Sequence, residues 1–366
     1  MSRPLHRTRR SEPDPGAVNE PVGRTSHTDK RAFVLTHEQQ YPFMTVPDPL
    51  VLGTRSSELA LWQANFVKSK LEARGHRVEL ETITTRGDES QDVPISDIGD
   101  EAVFTKELDR ALLNGDIHLA VHSLKDIPST VPEGIVLAAV GAREEPFDAF
   151  VAHPSFDGHL EDLPTNATVA TASLRRKAQL RTWRPDLEVV PVRGNVDTRL
   201  EKLVESDWHG MILAVAGLVR MGLSAHIRDR IDPAIMVPAV GQGALGIACA
   251  ADHDAIADRL HDVLHDEDTG FATAAERAFL RRVGGGCQVP LGAWARRTDD
   301  GGLRLDACIA ALDGSEHYRD RRHCAPEDGE RVGRELAGVL LQAGGDAILD
   351  RILGASRSPS GPAFRP

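Results

Sequence analysis

From Leu50 onward, short apolar runs alternate with longer amphipathic stretches, and this pattern predicts most of the chain's elements. Leu50-Val51-Leu52-Gly53 reads as a strand. The turn Thr54-Arg55-Ser56-Ser57 leads into a helix from Glu58 to about Arg74, with Leu59, Trp62, Phe66 and Leu71 at helical spacing on its core face. Residues 77–83 alternate as a strand does. Thr85 to Ala102 is polar and aperiodic, and its length suggests a mobile or functional loop. Phe104 to Asn114 reads as a helix closed by Gly115. Ile117–His122 and Ile135–Val140 read as strands, the first ending in Ser123-Leu124-Lys125-Asp126-Ile127-Pro128.

The alternation continues with strands at Thr168–Thr171, Leu187–Val192 and Met211–Val215. Helices open at Ser173, after Arg193-Gly194-Asn195 and at Ala216. Such a sequence predicts an α/β fold whose mainly parallel sheets are covered on both faces, with ligands at the carboxyl ends of the strands. Beyond about residue 268 the pattern changes. A helix from Ala272 to Val283 leads to strand-like runs at Gln288–Arg297, Leu303–Leu312 and His317–Cys324, and a helix from about Asp328 to Gln342 comes last. This predicts a smaller α+β domain with an antiparallel sheet. Residues 1–48 and Ala355 to Pro366 are polar, rich in Pro and Gly and without period, and are expected to be disordered.

Charge and cysteine usage narrow the function. A formal net charge of -12 disfavours nucleic acid or an anionic membrane as the main partner. Cys249, Cys287, Cys308 and Cys324 are too scattered for a disulfide framework, and without a CxxC pair no metal is expected. No run approaches the 18 apolar residues of a membrane span, and no apolar segment follows Arg9-Arg10, so a cytoplasmic protein is expected.

Against this acidic background the placing of the arginines stands out. Arg55, Arg175, Arg176, Arg193, Arg199 and Arg220 each fall at or just after a predicted strand-to-helix turn. Helix N-termini carry partial positive charge, and guanidinium groups match carboxylates or phosphates bidentately. Together they predict a site for a ligand with several anionic groups. At the end of the strand Ile117–His122, Asp126 is either a general acid/base, a stabiliser of a cation, or an ordinary turn residue. His118 and His122 are read as structural. Gly241-Gln242-Gly243-Ala244-Leu245-Gly246 matches GxGxxG, but a strand-like run follows it rather than a helix, so a dinucleotide site is not expected. In Gly284-Gly285-Gly286-Cys287, Cys287 is either a buried small hydrophobe or a nucleophile presented by a permissive backbone.

Several segments together resemble the porphobilinogen deaminase (hydroxymethylbilane synthase) family. They are Gly53–Gln63, Ala120–Pro128, Ser173–Arg176, Arg193–Arg199, Ile212–Leu218, Pro238–Ala244 and Gly285–Pro290. The resemblance implies an enzyme that condenses four porphobilinogen molecules head to tail, releasing ammonia at each step and then hydroxymethylbilane by hydrolysis. It implies a dipyrromethane cofactor held covalently by Cys287, and catalysis by Asp126 with Lys125. Arg55, Ser57, Lys125, Ser173, Arg175, Arg176 and Gly243 would contact the cofactor, and Arg55, Lys106, Arg193, Arg199 and Arg220 the substrate's carboxylates. It also implies two periplasmic-binding-protein-like domains, residues 50–146 with 244–262 and residues 147–243, plus a cofactor-carrying domain at 263–353 and a tail at 354–366. A monomer is expected. Asp100-Glu101 stands where the family often has a cation, and Asp197 where a small residue is common. The competing reading is a non-catalytic anion-binding module, which needs neither Cys287 nor Asp126.

Overall fold

A computed structural model describes residues 46–85, 105–284, 286 and 289–356. In chain order it gives β1 (Leu50–Thr54), α1 (Glu58–Glu72), β2 (Val78–Thr82), α2 (Lys106–Asn114), β3 (Leu119–Ser123) and β4 (Ile135–Val140). After a first linker come β5 (Asp148–Ala152), β6 (Thr168–Ala170), α3 (Leu174–Trp183), β7 (Glu188–Val190), α4 (Val196–Glu205), β8 (Gly210–Ala214), α5 (Val215–Arg220) and β9 (Asp229–Arg230). A second linker leads to β10 (Leu245–Ala250) and α6 (Asp254–Leu264). The chain ends in α7 (Glu267–Val283), β11 (Leu291–Arg297), β12 (Leu303–Ala310), β13 (His317–Cys324), α8 (Gly329–Leu340) and α9 (Asp346–Ser356).

Among the described residues these strands form three sheets, ordered β2-β1-β3-β10-β4, β7-β6-β8-β5-β9 and β11-β12-β13. The third is antiparallel throughout. The five-stranded sheets are mainly parallel, as expected, but each contains one reversed strand. β10 runs against β3 and β4, and β5 against β8 and β9. These are the first strands after each linker. β4 ends at the carboxyl edge of its sheet, and β5, being reversed, begins at the carboxyl edge of the next. The second linker returns from β9 to β10 in the same way. Both linkers therefore join the edges where α/β folds bind ligands.

The helices bury their apolar faces on these sheets, with one shift from expectation. On α1 the buried stripe is Ala60, Gln63, Ala64, Val67 and Leu71, whereas Trp62 and Phe66 remain 37 % and 38 % exposed, their rings stacked at 5.4 Å. Small side chains on the buried stripe let α1 lie close to β1 and β3. The aromatic pair occupies the neighbouring stripe instead of the expected core. Four elements were not expected: β5, β9, α6 and α9. The last helix is therefore α9, not α8. It follows a π-helical turn at Leu341–Gly345 and reaches Ser356, into the expected tail. No described helix is long and apolar enough to cross a membrane.

Helix α7 ties the third sheet to both linkers. Its Phe279 and Leu280 share a core with Leu291, Ala293, Leu305 and Leu336. Its Glu276 is fully buried and accepts bonds from Arg143 of the first linker (2.6 and 3.2 Å), Gly241 N of the second (2.7 Å) and Ala295 N of β11 (2.8 Å). Removing one charge of such a pair strands the other in a low-dielectric interior. Glu276→Gln is expected to lower stability by about 3–5 kcal/mol, measured by urea denaturation. An unchanged midpoint would mean that Arg143 finds another partner.

Candidate active site

The first half of the site is the turn that ends β3. Leu124 is buried and anchors a single 3-10 turn, Leu124–Asp126, its N–H donating to Ala244 O at 2.9 Å. With Leu124 pointing inward, Lys125 and Asp126 are left at the carboxyl edge. The next residues are pinned from α7, where buried Arg277 donates to Pro128 O (2.8 Å) and Ser129 O (3.2 Å). Lys125 Nζ donates to Gln242 Oε1 at 3.2 Å. Although Lys125 is only half-buried by surface, it sits under enough protein for burial to push its ammonium down to about 8, against the opposing pull of Asp126.

The second half comes from the other five-stranded sheet. After β6, Ser173 caps α3 by accepting from Arg176 N at 3.4 Å, so Arg175 and Arg176 fall in the first helical turn as predicted. Neither points outward. Both are buried, and both donate to the fully buried carboxylate of Asp148 at the start of β5. Arg175 also reaches Val237 O and Arg176 reaches Ile212 O, each at 2.9 Å. Burial pushes the Asp148 carboxyl up, but the two guanidinium groups outweigh it and hold it well below the usual range. These arginines thus have an internal anion that the sequence reading did not provide.

Arg193 lies in the turn before α4, and Arg199 in the first turns of that helix, its Nε donating to Gly194 O at 2.8 Å. Burial first, then the charges of Arg176 and Arg193, bring Arg199 down to about 10, while Asp126 opposes them. Asp126 of the first sheet therefore shares one electrostatic neighbourhood with Arg176, Arg193 and Arg199 of the second. Lys125 likewise feels Arg175, Arg176 and Asp148.

The remaining candidates lie around this group. Ser57 caps α1, accepting from Ala60 N at 3.4 Å. Arg55 precedes it, close enough that its charge, after burial, helps lower His122 to about 4. Lys106 is the first residue of α2. Arg220 corrects the expectation: it is the last residue of α5, not at a helix start. Its guanidinium donates to Gly243 O and lies 5.7 Å from the Trp62 ring centroid. Gly243 has φ +90, and a Cβ there would strike the Glu144 carbonyl oxygen, so only glycine lets the two linkers pass this closely. Cys287 lies outside the described residues, as do Asp100 and Glu101. What is described there is the helix end before it, where Gly284 closes α7 at φ 74.

Sequence reasoning missed Asp148 and Gln242. Asp148 is the one acid within the apolar run Phe147–Val151, and Gln242 the one polar side chain among the small residues of Gly241–Gly246. Both facts were visible as anomalies without a partner to explain them. Among the described residues the cluster sets Lys125, Arg175, Arg176, Arg193 and Arg199 against the carboxylates of Asp126 and Asp148. That surplus of positive charge suits a ligand carrying several carboxylates.

Comparison with known proteins agrees with this chemistry. Residues 50–258 match the family described as "Porphobilinogen deaminase, dipyromethane cofactor binding domain", and residues 271–342 match "Porphobilinogen deaminase, C-terminal domain". A porphobilinogen deaminase of Syntrophomonas wolfei is 47 % identical over 302 residues, covering 82 % of this chain and 97 % of its own. One from Trichlorobacter lovleyi is 46 % identical over 308 residues, covering 84 % and 97 %. Among solved structures, the Methionine Binding Protein MetQ aligns over 58 % of this chain and 90 % of its own. It is 13 % identical with a TM-score of 0.36, too weak a likeness to argue from.

Proposed function

We propose how the site divides its work from one premise: the chain belongs to the porphobilinogen deaminase family. It is a transferase of tetrapyrrole biosynthesis that adds porphobilinogen stepwise, head to tail, with loss of ammonia and final hydrolytic release of hydroxymethylbilane. It uses the dipyrromethane cofactor. When bound, that cofactor supplies the pyrrole end onto which substrate is added.

The residue assignments are our reading. Cys287 holds the cofactor through a thioether. Asp126 is the catalytic carboxylate: it stabilises the positive charge left on the substrate when ammonia departs and handles the pyrrole N–H proton. Lys125 assists it. Lys125, Arg55, Arg175 and Arg176, with the capped helix starts at Ser57 and Ser173 and the bare backbone at Gly243, receive the cofactor's carboxylates. Arg175 and Arg176 do so through the donors that Asp148 leaves over. Arg193 and Arg199, with Arg55, Lys106 and Arg220, receive those of the substrate. The three sheets correspond to three domains, residues 50–146 with 244–262, residues 147–243 and residues 263–353, and the two linkers are the hinge that makes room for the growing product. The enzyme works as a monomer, its site drawn from one chain, in the cytoplasm and without nucleic acid, in keeping with its net charge of -12.

The observation that carries this reading is the hydrogen-bonded run from Lys125, beside Asp126, through Gln242 to Asp148 and its two arginines, which joins the turn after β3 to the start of α3. Its test is the intact mass of protein made in cells able to supply the primer. The expected mass exceeds the polypeptide by two linked pyrroles and grows in single-pyrrole steps with porphobilinogen, while Cys287→Ser shows the bare polypeptide. A folded wild-type protein of bare mass, unchanged by substrate, would favour the non-catalytic anion-binding module.

A further inference from the structure

Gln242 is almost fully buried in the second linker, yet every polar atom of its side chain has a partner on a different part of the chain. Its Oε1 accepts from Lys125 Nζ of the β3 turn at 3.2 Å. Its Nε2 donates to Pro146 O of the first linker at 2.7 Å and to Asp148 Oδ1 of β5 at 3.1 Å. Its own carbonyl accepts from Arg143 Nε at 2.8 Å, and Arg143 is paired with Glu276. One amide thus stands between the cation beside Asp126 and the anion that holds Arg175 and Arg176. It is fixed to both linkers and, through Arg143, to the third sheet.

We propose that Gln242 is the positioning residue for this reaction, setting the Lys125 ammonium against the Asp148–arginine cluster where the two linkers meet. The inference rests on Lys125 serving the reaction as proposed above. An amide suits this position because it accepts from a cation with one end while donating to an anion with the other. A carboxylate could not do the second unless protonated, and an ammonium could not do the first. The charged groups acting on Lys125 are Asp126 and Asp148, which favour its ammonium, and Arg175 and Arg176, which oppose it.

The test compares Gln242→Met and Gln242→Glu as cofactor-loaded enzymes, with loading checked by intact mass and folding by thermal melt. Gln242→Met keeps the length and removes both bonding ends. Turnover is expected to fall roughly 10–100-fold with KM within about threefold, as for a misplaced group. The alkaline limb of the pH–rate profile moves to lower pH, because the ammonium loses the amide oxygen that favours its charged form. Gln242→Glu keeps the acceptor beside Lys125. It is expected to be the more active of the two, with the alkaline limb moved to higher pH by the added negative charge. Opposite displacements of the limb support positioning. Two folded, loaded variants with equal losses and an unmoved limb would overturn it, leaving Gln242 a packing residue. Lys125→Met separates the two readings. If it keeps wild-type turnover, the role of Lys125 itself fails; if it is impaired while the Gln242 limbs stay put, only the positioning role fails.

Discussion

Asp126→Asn is expected to fold, to carry the same two-pyrrole mass as wild type, and to turn over roughly 10²–10⁴ times more slowly. The substitution keeps the size of the side chain and removes its negative charge. The turn that carries it is anchored by Leu124 and by Arg277, and neither anchor involves the carboxylate, so the loss falls on chemistry rather than structure. Substrate affinity should change far less than kcat, because binding is assigned to the arginines. The neighbouring cations lose a counter-charge, so any change in affinity for the anionic substrate should be towards tighter binding. Steady-state kinetics with mass-verified enzyme decide the matter. Turnover within a few-fold of wild type would remove Asp126 from the catalytic role and leave the family's chemistry without its carboxylate in this chain.

The second large effect belongs to stability. Asp148→Ala leaves Arg175 and Arg176 buried side by side with their shared anion gone. Breaking a buried pair of this kind costs about 3–5 kcal/mol, because the unpaired charges cannot reach water. The effect is expected as a lower urea midpoint, together with loss of the cofactor mass if the arginines no longer keep their place. The pH dependence follows from the depressed folded-state pKa of Asp148. Its contribution is present above the unfolded value, near 3.8, and is lost only as pH falls through the lower folded value. Asp148→Asn, which cannot ionise, should lack that acid-dependent component of stability. A titration of stability with pH that is the same for wild type and Asp148→Asn would mean that the arginines draw their compensation elsewhere.

Much of the architecture was legible because it depends on local patterns. Ile135–Val140 and His317–Cys324 appear as strands with the bounds that alternation and turn residues gave them. Ser173 announces its helix by being a good cap, and the cap fixes where Arg175 and Arg176 fall. The chain's turn chemistry thus placed most of the arginines, Arg220 excepted. What they point at was not legible. Asp148 lies 27 residues before Arg175 in a stretch that reads as an apolar run with one oddity, and only the fold pairs the two. Glu276 and Arg277 fall in a helix whose charges look like a solvated face, yet both are buried because α7 is covered on several sides. On α1 two aromatics drew attention away from the stripe Ala60, Gln63, Ala64 and Val67, which is buried in their place beside the expected Leu71. Sequence gives an apolar surface its strength but not the space a neighbouring element leaves for it. Cys287 and the Asp100-Glu101 segment lie outside the described residues, so their parts rest on the family alone.

The reversed strand β10 has a consequence for how the protein is made. It lies between β3 and β4, and its Ile247 sits beside Val121, 126 residues earlier in the chain. Everything from β5 to β9 is synthesised in between. At about 5–20 residues per second, β3 and β4 wait roughly 6–25 s on the ribosome for the strand that joins them. The inserted sheet depends on no later strand and can close during that interval. The first sheet to be translated is therefore the last of the two to be completed, its apolar edges exposed until then to chaperones or to neighbouring nascent chains.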